Sequence, residues 1–172
     1  MMSNQYIRLI IRFMGCLLFQ VLVLNNIQLT GLMNPYYYPL FVLLLPLQMP
    51  QWACLLLSFG MGYSVGIFSN SSGLHAFSTV AMAFARPFVI TALFPKTETE
   101  DVEELSIGKT GMLNFILYAF ILILIHHFIF FVAEVWSFTQ FYFTFIKIVL
   151  STLMSTLLII VGEYLFLRKT LR

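Results

Sequence analysis

Two charged side chains, Arg86 and Glu163, stand inside long apolar stretches of a chain that is otherwise almost free of charge. An ionised group in hydrocarbon costs about 2.5–3.5 kcal/mol on insertion scales, so each needs a partner or a route to water. Three histidines, His75, His126 and His127, are the other groups able to move protons or hold a metal. His126 and His127 are adjacent, so on a helix they diverge by about 100° and do not easily share one metal ion. They read as polar residues of a span end or a buried contact, ahead of a proton relay. Cys16 and Cys54 lie within apolar runs and read as packing residues, not as a disulfide or a metal site. No Ser-His-Asp arrangement, phosphate-cradling loop, pair of catalytic carboxylates or His/Cys metal cluster is present in the sequence. A chain without enzymatic activity, cofactor or metal is expected.

These groups sit among 172 residues that are 60% hydrophobic, 17% aromatic and only 9% charged. A soluble domain carries about 25% charged residues, so 9 basic and 7 acidic side chains cannot solvate a globule of this size. Five of the acids, Glu98, Glu100, Asp101, Glu103 and Glu104, crowd into one segment, which leaves the rest barer still. This composition excludes a soluble enzyme and a disordered tail. The net charge of +2 offers nucleic acid no footing. An all-α integral membrane protein is expected, with the lipid bilayer as its main surroundings.

A spanning helix needs about 20 mostly apolar residues. Six candidate spans fit, over residues 13–29, 35–47, 52–68, 74–94, 112–132 and 138–167. The second is short, and Pro39 and Pro46 each remove an intrahelical hydrogen bond, so it is either a span or a tilted or re-entrant segment. Arg8 and Arg12 precede the first run and no small-x-small cleavage site follows, which reads as a retained signal anchor. With Arg168, Lys169 and Arg172 at the other end, they predict both termini in the cytoplasm and hence an even number of spans. The polar stretch 95–109 then falls on the same side as a solvated connector, and the outer loops 30–34, 69–73 and 133–137 are tiny. Trp52, Trp136 and the run Tyr36-Tyr37-Tyr38 fall near predicted boundaries, where amphipathic rings settle. Lys147 is expected to snorkel to the outer face and Glu134 to be solvated.

Ser58, Gly62 and Gly66 recur every four residues, and Ala81 and Ala85 supply a similar stripe on the next span. Small residues at that spacing let two backbones approach closely in lipid, so spans three and four form a tight hairpin. Its turn, 68–73, offers Ser69, Asn70, Ser71 and Ser72 as caps and Gly73 for a positive φ, with His75 beginning the next helix. Ser151 and Ser155 lie one turn apart, with Thr144 and Gly162 near the same face, a pattern that packs against a neighbouring helix. Arg86 lies 12 residues after Leu74, about 18 Å down its helix. Pro87 frees a backbone carbonyl one turn earlier for the guanidinium to bond, and the depth lets Arg86 reach Glu163 near the cytoplasmic end of the last span; otherwise each group snorkels separately.

The run from Gly62 to Ala76, followed by Arg86-Pro87-Phe88, resembles the rod shape-determining MreD family in its Bacteroidetes-type form. Phe68, Ser69, Asn70, Gly73, His75, Ala76, Arg86, Pro87 and Phe88 match its pattern. Ser71 and Ser72 replace a Thr-Pro pair, and Gly66 stands where the family commonly has Asp, so no role of that charge carries over. Length, span order, Asn25-Asn26 and the Pro-aromatic segment extend the resemblance over essentially the whole chain. It implies a single-domain six-transmembrane-helix bundle similar to the substrate-binding components of energy-coupling-factor transporters, located in the bacterial inner membrane. It further implies a non-enzymatic place in the cell-elongation complex that makes lateral-wall peptidoglycan. There such proteins bind MreC, a single-span protein with a periplasmic domain, beside the MreB filament and the RodA polymerase with its transpeptidase. The other expectation is a small-molecule-binding subunit of a membrane transporter. That role needs convergent polar or aromatic side chains near the outer face, which the short outer loops do not favour, and a docking surface for an energising partner.

Overall fold

The computed structural model describes residues 2–27, 33–99, 102–135 and 141–170. Of the groups weighed above, Glu100, Asp101, Trp136 and Arg172 lie outside the described residues, as do the side chains of Glu98, Arg168 and Lys169.

In hydrocarbon every backbone polar group must be satisfied within the protein, so long apolar runs become helices. Five do: α1 (Met2–Leu22), α3 (Gln51–Phe68), α4 (Ser72–Leu93), α7 (Met112–Val135) and α8 (Phe141–Thr170). All five are long and apolar enough to cross a membrane. No strand occurs among the described residues. The side chains are distributed for an apolar solvent. Ile11, Leu56, Phe77, Phe88, Leu113 and Leu157 face outward, while His75, Arg86, His126, His127, Ser151 and Ser155 are buried. That inversion fits a multi-pass membrane protein.

The expected sixth helix does not form. Residues 35–47 contain only α2 (Pro39–Leu43), five residues long, or about 7.5 Å at 1.5 Å per residue. The prolines explain the length. Pro39 is suited to the first turn, where no N–H is needed, and Pro46 drives Leu45 out of the α region. Flanking chain runs irregularly. The whole segment lies in the core, with Tyr38, Val42 and Leu43 fully buried and Tyr36 and Tyr37 nearly so. Tyr36-Tyr37-Tyr38 is therefore interior, not a boundary belt; Trp52, at the start of α3, is exposed as expected.

Short-range contacts fix the order of the passes. At one end, Arg8 of α1 pairs with Glu103 at 2.8 Å, Arg12 grips Glu104, and the Leu47 N–H donates to the Glu103 carbonyl at 2.8 Å. At the other end, Asn25, just past α1, donates to Ser69 Oγ on the α3–α4 turn at 3.0 Å. The chain between Asn34 and Leu47 thus runs from one end of the bundle to the other without forming a spanning helix. α3 packs on α4, α4 on α7, and α7 on α8. The 95–109 stretch is more than a solvated connector. It holds α5 (Lys96–Thr99) and α6 (Ile107–Thr110), buries Leu105 and Ile107, and leaves the Glu104 side chain only 18% exposed in its pair with Arg12. Lys147 and Glu134 likewise pair with each other at 2.9 Å, and Lys147 sits over the Phe131 ring.

The α3–α4 turn closes by a different residue from the one expected. Asn70, with φ 52°, takes the left-handed conformation, while Gly73 lies within α4. The Ser71 N–H reaches back to the Gly66 carbonyl at 3.0 Å, the six-residue closure of a helix C-terminus. Asn accepts that conformation better than any residue but Gly, which is why Asn suffices here. Ser71, before α4, makes no side-chain capping bond.

Candidate functional site

Irregular backbone at membrane depth is tolerated only where protein groups satisfy it. The partners of the segment 34–47 therefore show what the buried polar residues do. Ser151 and Ser155 of α8 accept from the N–H groups of Asn34, at 3.0 Å, and Tyr36, at 2.8 Å. Gln20 of α1 accepts from the Tyr37 N–H at 2.7 Å and donates to the Pro35 carbonyl at 3.3 Å. Tyr118 of α7 donates to the Leu43 carbonyl at 3.0 Å. Arg12 reaches the Leu44 carbonyl at 3.4 Å. Side chains of three long helices thus stand in for the missing helical ladder. The serine stripe on α8 serves this segment, and Ser155 also meets His127 of the neighbouring helix α7.

Arg86 belongs to the same set. Its guanidinium donates to the Leu45 carbonyl, to the Leu43 carbonyl at 3.5 Å and, through Nε, to Tyr118 Oη at 2.8 Å. These carbonyls close the C-terminal end of α2, where the helix leaves its last acceptors without partners. No ion pair among the described residues joins Arg86 to Glu163, and Arg86 does not snorkel, being 5% exposed. Glu163 lies instead within the field of Arg12 and Glu104. The carbonyl that Pro87 frees, that of Ala83, accepts instead from Gln51 Nε2 at 3.1 Å, and the carbonyls that Arg86 does bind carry no mark in a sequence.

Three histidines meet around Tyr38. Its hydroxyl is 2.9 Å from His75 Nδ1 and 2.6 Å from His126 Nε2, and Ser78 Oγ is 3.1 Å from the same His126 nitrogen. His126 Nδ1 is buried with no partner among the described residues. A buried orphan N–H is rarer and costlier than an orphan acceptor, so the proton of His126 sits on Nε2 and points to Tyr38 and Ser78. Tyr38 then donates its single proton to His75 Nδ1, which leaves the proton of His75 on Nε2. His127, on the neighbouring face of α7, bonds the Ile123 carbonyl at 2.9 Å and contacts Ser155 Oγ at 3.4 Å. The Tyr36 ring lies against His75, His126 and His127. Tyr38→Phe strips both histidines of their shared partner at once. The variant is expected to lose about 1–3 kcal/mol of stability, read as a lower denaturation midpoint in detergent, while Tyr142→Phe, on the exposed surface, leaves the midpoint in place.

The close hairpin forms as the small-residue spacing predicts. A Cβ at Gly62 would meet the His75 carbonyl oxygen at 2.5 Å, Thr79 Oγ1 at 2.7 Å and Ala76 Cα at 2.8 Å. The α4 residues that meet it are thus His75, Ala76 and Thr79, a turn earlier than Ala81; Ala85 packs against the core and Ala81 is half-buried. Ser58 and Gly66 are buried on the same face of α3 as Gly62. Gly162 on α8 gives room to the Tyr37 ring. Phe68 is exposed.

Beyond this network, at the end carrying the α3–α4 turn, lies a cavity of about 490 Å³. Asn25, Tyr36, Ser71, His75, Phe130 and Glu134 are among its lining residues. A convergent polar and aromatic set is thus present despite the short loops. Gln20 and Tyr118 were not singled out from the sequence, and Tyr38 was read only as a boundary ring; an isolated amide or hydroxyl within an apolar span was the available signal. The chain matches no protein-family model, no characterised protein and no solved structure with which it was compared.

Proposed function

We propose that this chain is a non-enzymatic membrane scaffold of MreD type, which binds an MreC-like single-span protein in the inner membrane and supports lateral peptidoglycan synthesis beside MreB, RodA and its transpeptidase. One observation carries the reading. Among the residues on which the family resemblance rests, Gly62, Ser69, His75 and Arg86 direct their groups onto the hairpin and the irregular segment 34–47, and exposed Asn70 sets the hairpin turn through its backbone. A fixed bundle of this kind is what a scaffold requires. Helices associate in lipid by close packing, and the helix backbone is open at Gly15 of α1, Gly60 of α3 and Gly73 of α4, where an added Cβ meets nothing within 4 Å.

Photo-crosslinking in the native membrane tests the proposal. A crosslinking residue at exposed Met14, Leu18 or Phe59 is expected to capture a single-span protein with an extracytoplasmic domain, and depletion of the chain to round up rod-shaped cells. Capture of no such protein along any of the five helices, together with unchanged cell shape, sinks the reading.

A further inference from the structure

We infer that the cavity at the α3–α4 turn end binds a small uncharged molecule that carries an unsaturated ring and a hydrogen-bond-accepting oxygen or nitrogen, with His75 Nε2–H as the donor that reads it. The inference stands apart from the scaffold proposal, since it needs neither the partner nor the complex.

The donor follows from the hydrogen-bond network. Tyr38 occupies His75 Nδ1 at 2.9 Å, and the orphan Nδ1 of His126 sets the direction of every proton in that chain. His75 must then carry its proton on Nε2. The residue is 2% exposed, yet it lines the cavity, and Nε2 has no partner among the described residues. Unlike His126 Nδ1, this nitrogen is not among the fully buried atoms that lack a partner, so its N–H opens on the cavity, where water or a ligand supplies the acceptor. The Tyr36 and Phe130 rings, whose centroids lie 5.1 Å and 4.6 Å from that of His75, meet it edge-on and tilted and line the same cavity with aromatic surface. Asn25 and Ser71 add neutral polar groups at the mouth.

Charge settles the class. The one formal charge among the lining residues is Glu134, whose carboxylate is bound by Lys147 at 2.9 Å. An anion would enter with no free cation to receive it and an acid beside it; an uncharged acceptor meets no such cost. The volume of about 490 Å³ falls within the usual range for small-molecule sites, about 300–1,000 Å³.

Ligand-observed saturation-transfer NMR on the full chain in lipid nanodiscs tests this with matched pairs: uracil, nicotinamide and benzamide against orotate, nicotinate and benzoate. The uncharged rings are expected to receive saturation and the anions not. His75→Phe keeps a ring in place and removes the donor, and should raise the dissociation constant about tenfold, the worth of one hydrogen bond. Should that variant fail to fold, Ser71→Phe decides, because it fills the mouth from a half-buried position and should abolish binding with the unfolding midpoint unchanged. No transfer to the uncharged rings, equal transfer to the anions, or binding that persists unchanged in the folded variants overturns the inference.

Discussion

Gly62→Leu is expected to yield no folded protein from solubilised membranes, whereas Gly60→Leu, two residues away, is expected to behave as the unchanged chain. The contrast rests on what a side chain meets. At Gly60 there is nothing within 4 Å; at Gly62 three atoms of α4 lie within 2.8 Å of the new Cβ. Two of those three belong to backbone, so no rotamer change clears them. Overpacking by even a methylene or two costs about 1–3 kcal/mol, and a leucine adds its branched end to the Cβ conflict. Relief requires α3 and α4 to part. Parting moves His75, whose carbonyl accepts from Thr79 Oγ1 at 2.6 Å and whose ring receives Tyr38. The damage therefore spreads from the hairpin to the segment 34–47. Gly62→Ala should fall between the two leucine variants, and size-exclusion chromatography with a thermal unfolding curve ranks all three. A monodisperse Gly62→Leu protein with an unshifted midpoint would show that the hairpin is not held by backbone contact.

How much of this was legible before the structure depends on whether the information lies in side chains or in backbone. Five long helices are written in hydropathy, and the backbone approach at Gly62 in the spacing of Ser58, Gly62 and Gly66. The segment 35–47 is different. A short continuous apolar run buried on every side cannot be told from a helix by periodicity, and Pro39 and Pro46 were the only marks of its true course. Once that segment is irregular, the remaining polar residues acquire their roles. Ser151, Ser155, Gln20, Tyr118 and Arg86 serve N–H and C=O groups that every residue possesses and no sequence distinguishes. The positive φ at Asn70 instead of Gly73 reflects the same limit, because the choice depends on where α3 ends. The cavity arises where several elements terminate together, and no linear pattern encodes it.

Arg86→Met offers the sharpest measure of whether a buried charge here is structural. The substitution preserves length and apolar packing while removing every donor. It frees the fold of a charge in hydrocarbon, a gain of about 2.5–3.5 kcal/mol on insertion scales. Against that stand three hydrogen bonds from a cation, each about 1.5–3 kcal/mol, and the orphaned Leu45 carbonyl; Leu43 keeps its bond from Tyr118. The balance is a net loss of about 1–6 kcal/mol, read as a fall in the denaturation midpoint. Arg86→Lys separates this account from a snorkelling cation. A snorkelling group would tolerate lysine without cost, but one ammonium cannot reach the Leu45 carbonyl and Tyr118 Oη together as the planar fork does. Lysine should therefore also destabilise. Double-mutant cycles complete the case: Arg86→Met and Tyr118→Phe should be non-additive by 0.5 kcal/mol or more, and Arg86→Met and Glu163→Gln additive within about 0.5 kcal/mol. Strong coupling to Glu163 with none to Tyr118 would return Arg86 to the carboxylate and leave the turn of chain after α2 without its anchor.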